Sequence, residues 1–360
     1  MIDWHAFLHR PPLLLSPSLE PLRDQSILIT GAGGSIGSSL SLRFASIAPR
    51  RLVLLDASEQ ALYRLQQQLD KAPSSAVVTI LGSVNDALLL DEICTQHKPT
   101  LVFHAAAHKH SPLLEQQPLA AIDTNTIGTM ALTGCLRRHN SPRLILLSTD
   151  KAADPTSMLG ATKRVAERIT LAYGGIALRL ANVLGSEGSV VETFLHQIRN
   201  HGPITITHPD ANRFFLTIAE TVDLLITAAT SGRTASLLIP SLQRSYRIRA
   251  LAEFLAAMFS PSDLIEYRYT GLRLGDKLQE SLSSAGEHAD PSGLPGLAEV
   301  RSSCEQDPNP VRQFAQLEKA VRERSFHQAM EALFELVPTY QPSAHIQQLV
   351  DQSRPGVAAL

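Results

Sequence analysis

The sequence predicts an α/β protein: a doubly wound parallel sheet of Rossmann type with a smaller C-terminal substrate-binding domain. Three observations lead there. A glycine cluster, Gly31-Ala32-Gly33-Gly34-Ser35-Ile36-Gly37, lies between the short apolar run Ser26–Thr30 and a helical stretch from Ile36 to Ala45. Apolar runs of strand length then recur, separated by helical segments, and continuous apolar runs are how strands buried on both faces read. The chain has 360 residues, 44% of them hydrophobic, enough for one large α/β unit and an appended domain, since single cores rarely outgrow about 250–300 residues.

Residues 1–24 are rich in Pro, Leu and Ser without a sustained period and are expected to dock as an N-terminal arm. The cluster Pro11 to Leu15 is too short and too broken by proline to be an anchor. Residues 25–185 carry the dinucleotide-type alternation: strands at Ser26–Thr30, Arg51–Asp56, Ala76–Leu81, Thr100–His104, Arg143–Ser148 and Ile176–Leu180. Over residues 186–330 the alternation loosens, with loops near Gly202-Pro203 and His208-Pro209-Asp210, a helix from Ile218 to Ala229 and a polar stretch from Ser283 to Pro310. A substrate-binding region interleaved with the main sheet is placed here, and residues 331–360 form a C-terminal tail.

Composition narrows the function. Thirty-two basic against 34 acidic side chains give a net charge of −2, which argues against a broad nucleic-acid surface. Cys94, Cys135 and Cys304 lack a CxxC or Cys/His ligand spacing, so neither a disulfide framework nor a structural zinc is indicated, and a reducing cytoplasm fits. The sequence shows no apolar run of membrane-spanning length and no signal peptide.

The glycine cluster carries the first chemistry. Glycine permits a tight turn and close approach of a pyrophosphate to the N–H groups at a helix start, so Gly31, Gly33, Gly34, Ser35, Ile36 and Gly37 are expected to hold a dinucleotide. Asp56, closing the next strand, suits a ribose 2′-hydroxyl and favours NAD over NADP. Arg64 is either a surface arginine or a partner for a 2′-phosphate.

Several longer motifs carry a resemblance: His104 to Leu113, Ser148 to Thr156, Gly160 to Arg164, Asn182 to Ser186, Thr207 to Ile218 and Thr270 to Leu278. Together, over about residues 25–285, the chain resembles the CapD-like polysaccharide-biosynthesis branch of the extended short-chain dehydrogenases, whose members include UDP-N-acetylglucosamine 4,6-dehydratases. The resemblance is to the catalytic portion of the larger, membrane-anchored members. It implies NAD or NADP as cofactor, with Ala105 in its site, a UDP-sugar substrate and assembly as a homo-oligomer.

The resemblance assigns roles as well. Asp150 would protonate the departing C6 hydroxyl, Lys151 would take the C5 proton, and Thr149 would bond the sugar near O4. On spacing alone, Asp150 and Lys151 read equally well as a loop ion pair. Lys163 occupies the position that binds the nicotinamide ribose, four residues after a position that is tyrosine in much of the superfamily; that position is Leu159 here, which cannot exchange a proton. Lys109, Asn125 and Asn182 would frame the sugar pocket, and Arg213 and Arg273 would grip the diphosphate. Glu187 stands where many relatives have arginine, and Ser83 replaces an acidic residue near the adenine. His104, His108 and His110 lie within a family motif and are not read as a metal site. The resemblance thus implies a nucleotide-sugar 4,6-dehydratase, with a 4-epimerase or reductase, or a catalytically inactive cofactor-binding subunit, as the alternatives.

Overall fold

The computed structural model describes residues 2–13, 15–69, 76–261, 265–302 and 311–353. Its centre is a nine-stranded sheet of β1 (Ser26–Thr30), β2 (Arg51–Asp56), β3 (Val77–Leu81), β4 (Leu101–His104), β5 (Arg143–Thr149), β6 (Ile176–Leu180), β7 (Ser236–Pro240), β8 (Glu287–Pro291) and β9 (Leu297–Ser302). The spatial order is β8-β9-β7-β6-β5-β4-β1-β2-β3, with β1 to β7 parallel and β8 and β9 antiparallel at one edge. Because β1 pairs with β2 on one side and β4 on the other, successive connections leave in opposite directions. A crevice opens at that switch point, above the carboxyl ends of the strands, where open α/β sheets bind ligands.

The apolar runs form strands because both faces are covered. Every residue of β1, β4 and β6 is buried. Ile27, Ile29 and Phe103 pack with Leu40 and Phe44 of the helix Ser35–Ala45 on one face, while Leu28, Val53 and Val102 meet Leu90 and Leu136 on the other. The polar stretch after Ser283, to which the sequence assigns no element, supplies β8 and β9: Leu297 and Val300 bury against β7 while Arg301 and Ser302 stay exposed. Residues 303–310, with Cys304, lie outside the described residues.

The N-terminal arm docks, and it is more structured than its composition suggests. Asp3 caps a short helix, Trp4–Leu8, whose Phe7 and Leu8 enter an apolar cluster with Phe194, Leu251 and Leu255. Further along, Leu13, Leu15 and Leu19 pack on the main core, and Arg10 pairs with Glu220 at 2.5 Å. At the other end, helices Val311–Arg322, Phe326–Leu336 and Ala344–Ser353 cover the helix Met158–Tyr173. Buried Glu115 ties these parts together, accepting from Met158 N at 2.7 Å and from Ser343 Oγ at 2.6 Å. Among the described residues, no helix is long and apolar enough to cross a membrane.

Candidate active site

The glycine turn links β1 to the helix Ser35–Ala45. Gly31 has φ +69°, and a Cβ there would sit 2.5 Å from Ala106 N, so β1 and the segment after β4 approach closely only because this residue is glycine. A side chain at Gly37 would strike the Gly31 carbonyl. Gly34 differs: a Cβ there meets only Gly31 O, at 3.4 Å, so the fold itself leaves open the space before the helix N-terminus. Helix first-turn N–H groups have no partner within the helix and favour an anion. Asp56 sits alongside, its carboxylate accepting from Gly33 N and Ser58 N, each at 2.8 Å.

Lys163 completes this half. It lies in the second turn of the helix Met158–Tyr173 and is 4% exposed. Burial pushes its ammonium down to about 8, only partly opposed by Glu167. An open cradle at a helix start, a carboxylate at the end of β2 and a buried lysine together fit a dinucleotide.

The second half lies at the end of β5. Thr149 ends that strand, and Asp150, 1% exposed, begins a short 3-10 turn. Thr149 Oγ1 donates to Asp150 Oδ1 at 3.0 Å, Lys151 Nζ donates to the same oxygen at 2.9 Å, and Asn182 Nδ2 approaches Oδ2 at 3.4 Å. Glu280, on the segment following the Thr270–Leu278 motif, brings Oε1 to 3.8 Å from Lys151 Nζ, and Lys277 lies 3.6 Å from its Oε2. Burial alone would lower Lys151, yet Asp150 and Glu280 outweigh it and hold the lysine above its ordinary value. Burial raises Glu280, reinforced by Asp150, and its neighbouring cations only partly offset this. Its Oε2 is buried without a hydrogen bond. Sequence reasoning missed Glu280; the available signal was its place two residues after a matched motif. A cavity of about 640 Å³ opens on Glu280, lined also by Asn212, Phe214, Gln243 and Leu282 but not by Asp150 or Lys151.

Residues 27–301 match the family model described as polysaccharide biosynthesis protein. The chain belongs to that family. It is similar to the capsular polysaccharide biosynthesis protein CapD of Staphylococcus aureus, at 34% identity over 298 residues, 79% of this chain and 50% of the relative. It is also similar to the UDP-glucose 4-epimerase of Rickettsia typhi, at 30% identity over 313 residues, 83% of this chain and 89% of the relative. Among solved structures, Pen from Bacillus thuringiensis shares the fold, with a TM-score of 0.71 at 24% identity over 79% of this chain and 89% of that one. This polysaccharide biosynthesis protein therefore spans half the length of its capsular relative.

In this member of the polysaccharide biosynthesis family, the remaining expected residues divide into those facing the crevice and those building it. Ala105 lies against Gly31 and donates its N–H to Thr30 O at 3.0 Å. The segment around Glu187 reaches across the glycine turn: its N–H donates to Ser35 Oγ at 2.9 Å, its carbonyl accepts from Lys109 Nζ at 2.7 Å, and its carboxylate pairs with Arg64 at 3.0 Å. Lys109 and Arg64 are thus both engaged by Glu187. Ser83 accepts from Asn85 N at 3.2 Å in its own turn.

Asn125, expected at the sugar pocket, is 1% exposed. Its amide is spent on His108 N at 2.8 Å, His108 O at 3.1 Å and Thr162 Oγ1 at 3.1 Å, so it shapes the pocket from behind. Arg213, expected on a diphosphate, donates to the carbonyls of Asn212, Lys277 and Leu278 and pins the segment leading to Glu280. Arg273 stands exposed and, among the described residues, is tied only to Asp276. Leu159, in the helix's first turn, is buried in the cluster with Leu114, Met158 and Leu333. His104 is a neutral core residue, pushed down to about 3 by burial and by Lys163. Thr129 Oγ1 donates to Asn125 O, so it accepts from His104 Nε2, which leaves Nδ1 to accept from Thr30.

Proposed function

We propose that this protein is a nucleotide-sugar 4,6-dehydratase using bound NAD or NADP, NAD being favoured by Asp56, and acting on a UDP-N-acetylhexosamine for polysaccharide precursor synthesis. The observation that carries the reading is the buried Thr149–Asp150–Lys151 cluster, which places a carboxyl and an amine 2.9 Å apart at the end of β5. Simple oxidation and re-reduction at C4 needs no second acid–base group there. Gly31 to Gly37 and Asp56 would hold the pyrophosphate and ribose, and Lys163 the nicotinamide ribose. A dinucleotide held there would supply the hydride acceptor for C4 and the donor back to C6.

The protein's own groups then manage the protons. Thr149, already donating to Asp150, relays the O4 proton to that carboxylate as C4 is oxidised. A neutral Asp150 no longer holds Lys151 charged, and Glu280 is placed to take the proton that Lys151 gives up. The free amine removes the proton at C5, Asp150 returns the O4 proton to the C6 oxygen, and water departs. Lys151 finally reprotonates C5 and recovers its own proton from Glu280. No step requires a proton exchanger at Leu159.

Similarity to the Rickettsia typhi epimerase along most of both chains favours a second reading, inversion at C4 without elimination. Incubation with UDP-N-acetylglucosamine in D2O, followed by mass spectrometry and NMR, separates the two. Loss of water with deuterium at C5 is the expected result. A C4-inverted sugar with its water retained establishes the epimerase, and silence across UDP-, dTDP-, GDP- and CDP-hexoses leaves the inactive-subunit reading standing in place of both.

A further inference from the structure

Away from the crevice, two packed helices turn metal-ligand side chains toward one another. The helix Ala87–His97 carries Asp91 and Cys94, and the helix Gly128–Arg138 carries Cys135, with His139 at its C-cap. Spacings of three and four residues put each pair on one helix face. His139 Nε2 lies 2.9 Å from Asp91 Oδ1, Cys135 Sγ lies 3.8 Å from the same oxygen, and Cys94 Sγ is 3.6 Å from Cys135 Sγ. The donor atoms of Asp91, Cys135 and His139 all fall within 4.8 Å of one another.

We propose that Asp91, Cys135 and His139 form a site for a thiophilic divalent cation of the zinc type. Bonds of about 2.0–2.3 Å to a tetrahedral centre separate neighbouring ligand atoms by about 3.3–3.8 Å. The Cys135–Asp91 separation already matches that spacing, and the Asp91–His139 contact needs to open by only about half an ångström. One carboxylate, one imidazole and one thiol are a donor set for zinc rather than for magnesium or calcium, which take oxygen. Both sulfurs are buried, and burial pushes both thiols up, so without a metal they are protonated. Binding therefore releases the Cys135 thiol proton to solvent as the metal–sulfur bond forms. Arg138 also donates to Asp91 Oδ1, at 3.1 Å, but its side chain is 58% exposed and free to turn outward. Asp91 and the Cys135–His139 pair come from different helices, so the cation staples the two together. Asp91 and Cys135 lie far apart in the chain, which hides the set in the sequence.

The test uses the full chain, stripped with chelator under reducing conditions and titrated with Co2+. We expect one equivalent to give a near-ultraviolet thiolate-to-cobalt charge-transfer band and visible bands of tetrahedral intensity, both lost on adding Zn2+. Cys135→Ser and His139→Ala should lose these bands while keeping the parent circular dichroism. Absence of a charge-transfer band in the folded parent overturns the proposal, as does a band that persists in Cys135→Ser. A Cys94–Cys135 disulfide that persists in the reduced preparation and blocks Co2+ equally overturns it.

Discussion

Two buried ionic clusters lie close together in this protein, and they are finished to different degrees. Behind the crevice, Arg179 is fully buried and forks onto Glu167 at 2.9 Å through both Nε and Nη2, while its Nη1 reaches Glu287 at 2.6 Å. Arg164 meets both of the same carboxylates, Ser148 donates to Glu167, and Ser284 N donates to Glu287. Every carboxylate oxygen in that group has a donor. In the Asp150–Lys151–Glu280 cluster, by contrast, one buried Glu280 oxygen has no hydrogen bond. Buried polar groups are nearly always paired. A completed network marks a clamp, whereas an incomplete one marks the place where a bound molecule supplies what is missing.

Breaking the clamp tests the first half of this contrast. Arg179→Met leaves two buried carboxylates short of donors and should cost about 3–5 kcal/mol of stability, read by urea unfolding. A loss below about 1 kcal/mol would show that the network holds little. Asp150→Asn, in the unfinished cluster, should instead leave the unfolding midpoint near the parent value and cut turnover by about 10²–10⁴-fold, measured as release of the 4-keto product.

Acid titration separates the clusters again. Burial alone would raise Glu287, but Arg179 and Arg164 outweigh it and hold the carboxyl at about 2. Because its folded value lies below the unfolded one of about 4.3, its contribution is complete above pH ~4.3 and disappears as the pH falls through about 2. The thermal midpoint of Glu287→Gln should accordingly be lower than the parent's at pH 7 and fall less steeply between pH 5 and pH 2. Parallel curves would remove Glu287 from the acid response.

Glu280→Gln probes the proton store. With an internal acceptor, parent turnover should vary little from pH 7 to pH 9. Without one, Lys151 must lose its proton to solvent, so the variant should be slower on the order of 10²-fold at pH 7 and recover as the pH rises. An equal deficit at every pH would reduce Glu280 to a packing role. The smallest effect belongs to Leu159→Met, a volume-conserving change in a closed apolar cluster, which should cost under about 1.5 kcal/mol in stability and leave turnover within a few-fold.

The same contrast explains what the sequence reveals. Six strands and the glycine turn are legible because local signals dictate them: continuous apolar runs, and glycines where the backbone has no room for a Cβ. Thr149, Asp150 and Lys151 are found because they are neighbours in the chain. Glu280 meets Lys151 only after Arg179 and Arg213 have fixed the segment that carries it, and nothing local announces that meeting. Asn125 and Arg213 show the converse: their chemistry suits a ligand, yet the fold spends their donors on its own backbone. β8 and β9 escape notice because an antiparallel edge buries only part of each strand, which leaves the run too polar to read as a strand.

The N-terminal arm has a consequence for the order of folding. Arg10 waits for Glu220, 210 residues later, and the Leu8 carbonyl for the Tyr246 hydroxyl, 238 residues later. This stretch thus depends on partners made much later, and closing so long a loop is entropically costly until the intervening chain has folded. In the interval, the grooves that receive Phe7, Leu13 and Leu15 stand open to water, an apolar seam on an otherwise finished surface. The arm is therefore a strap that closes only over a body already built.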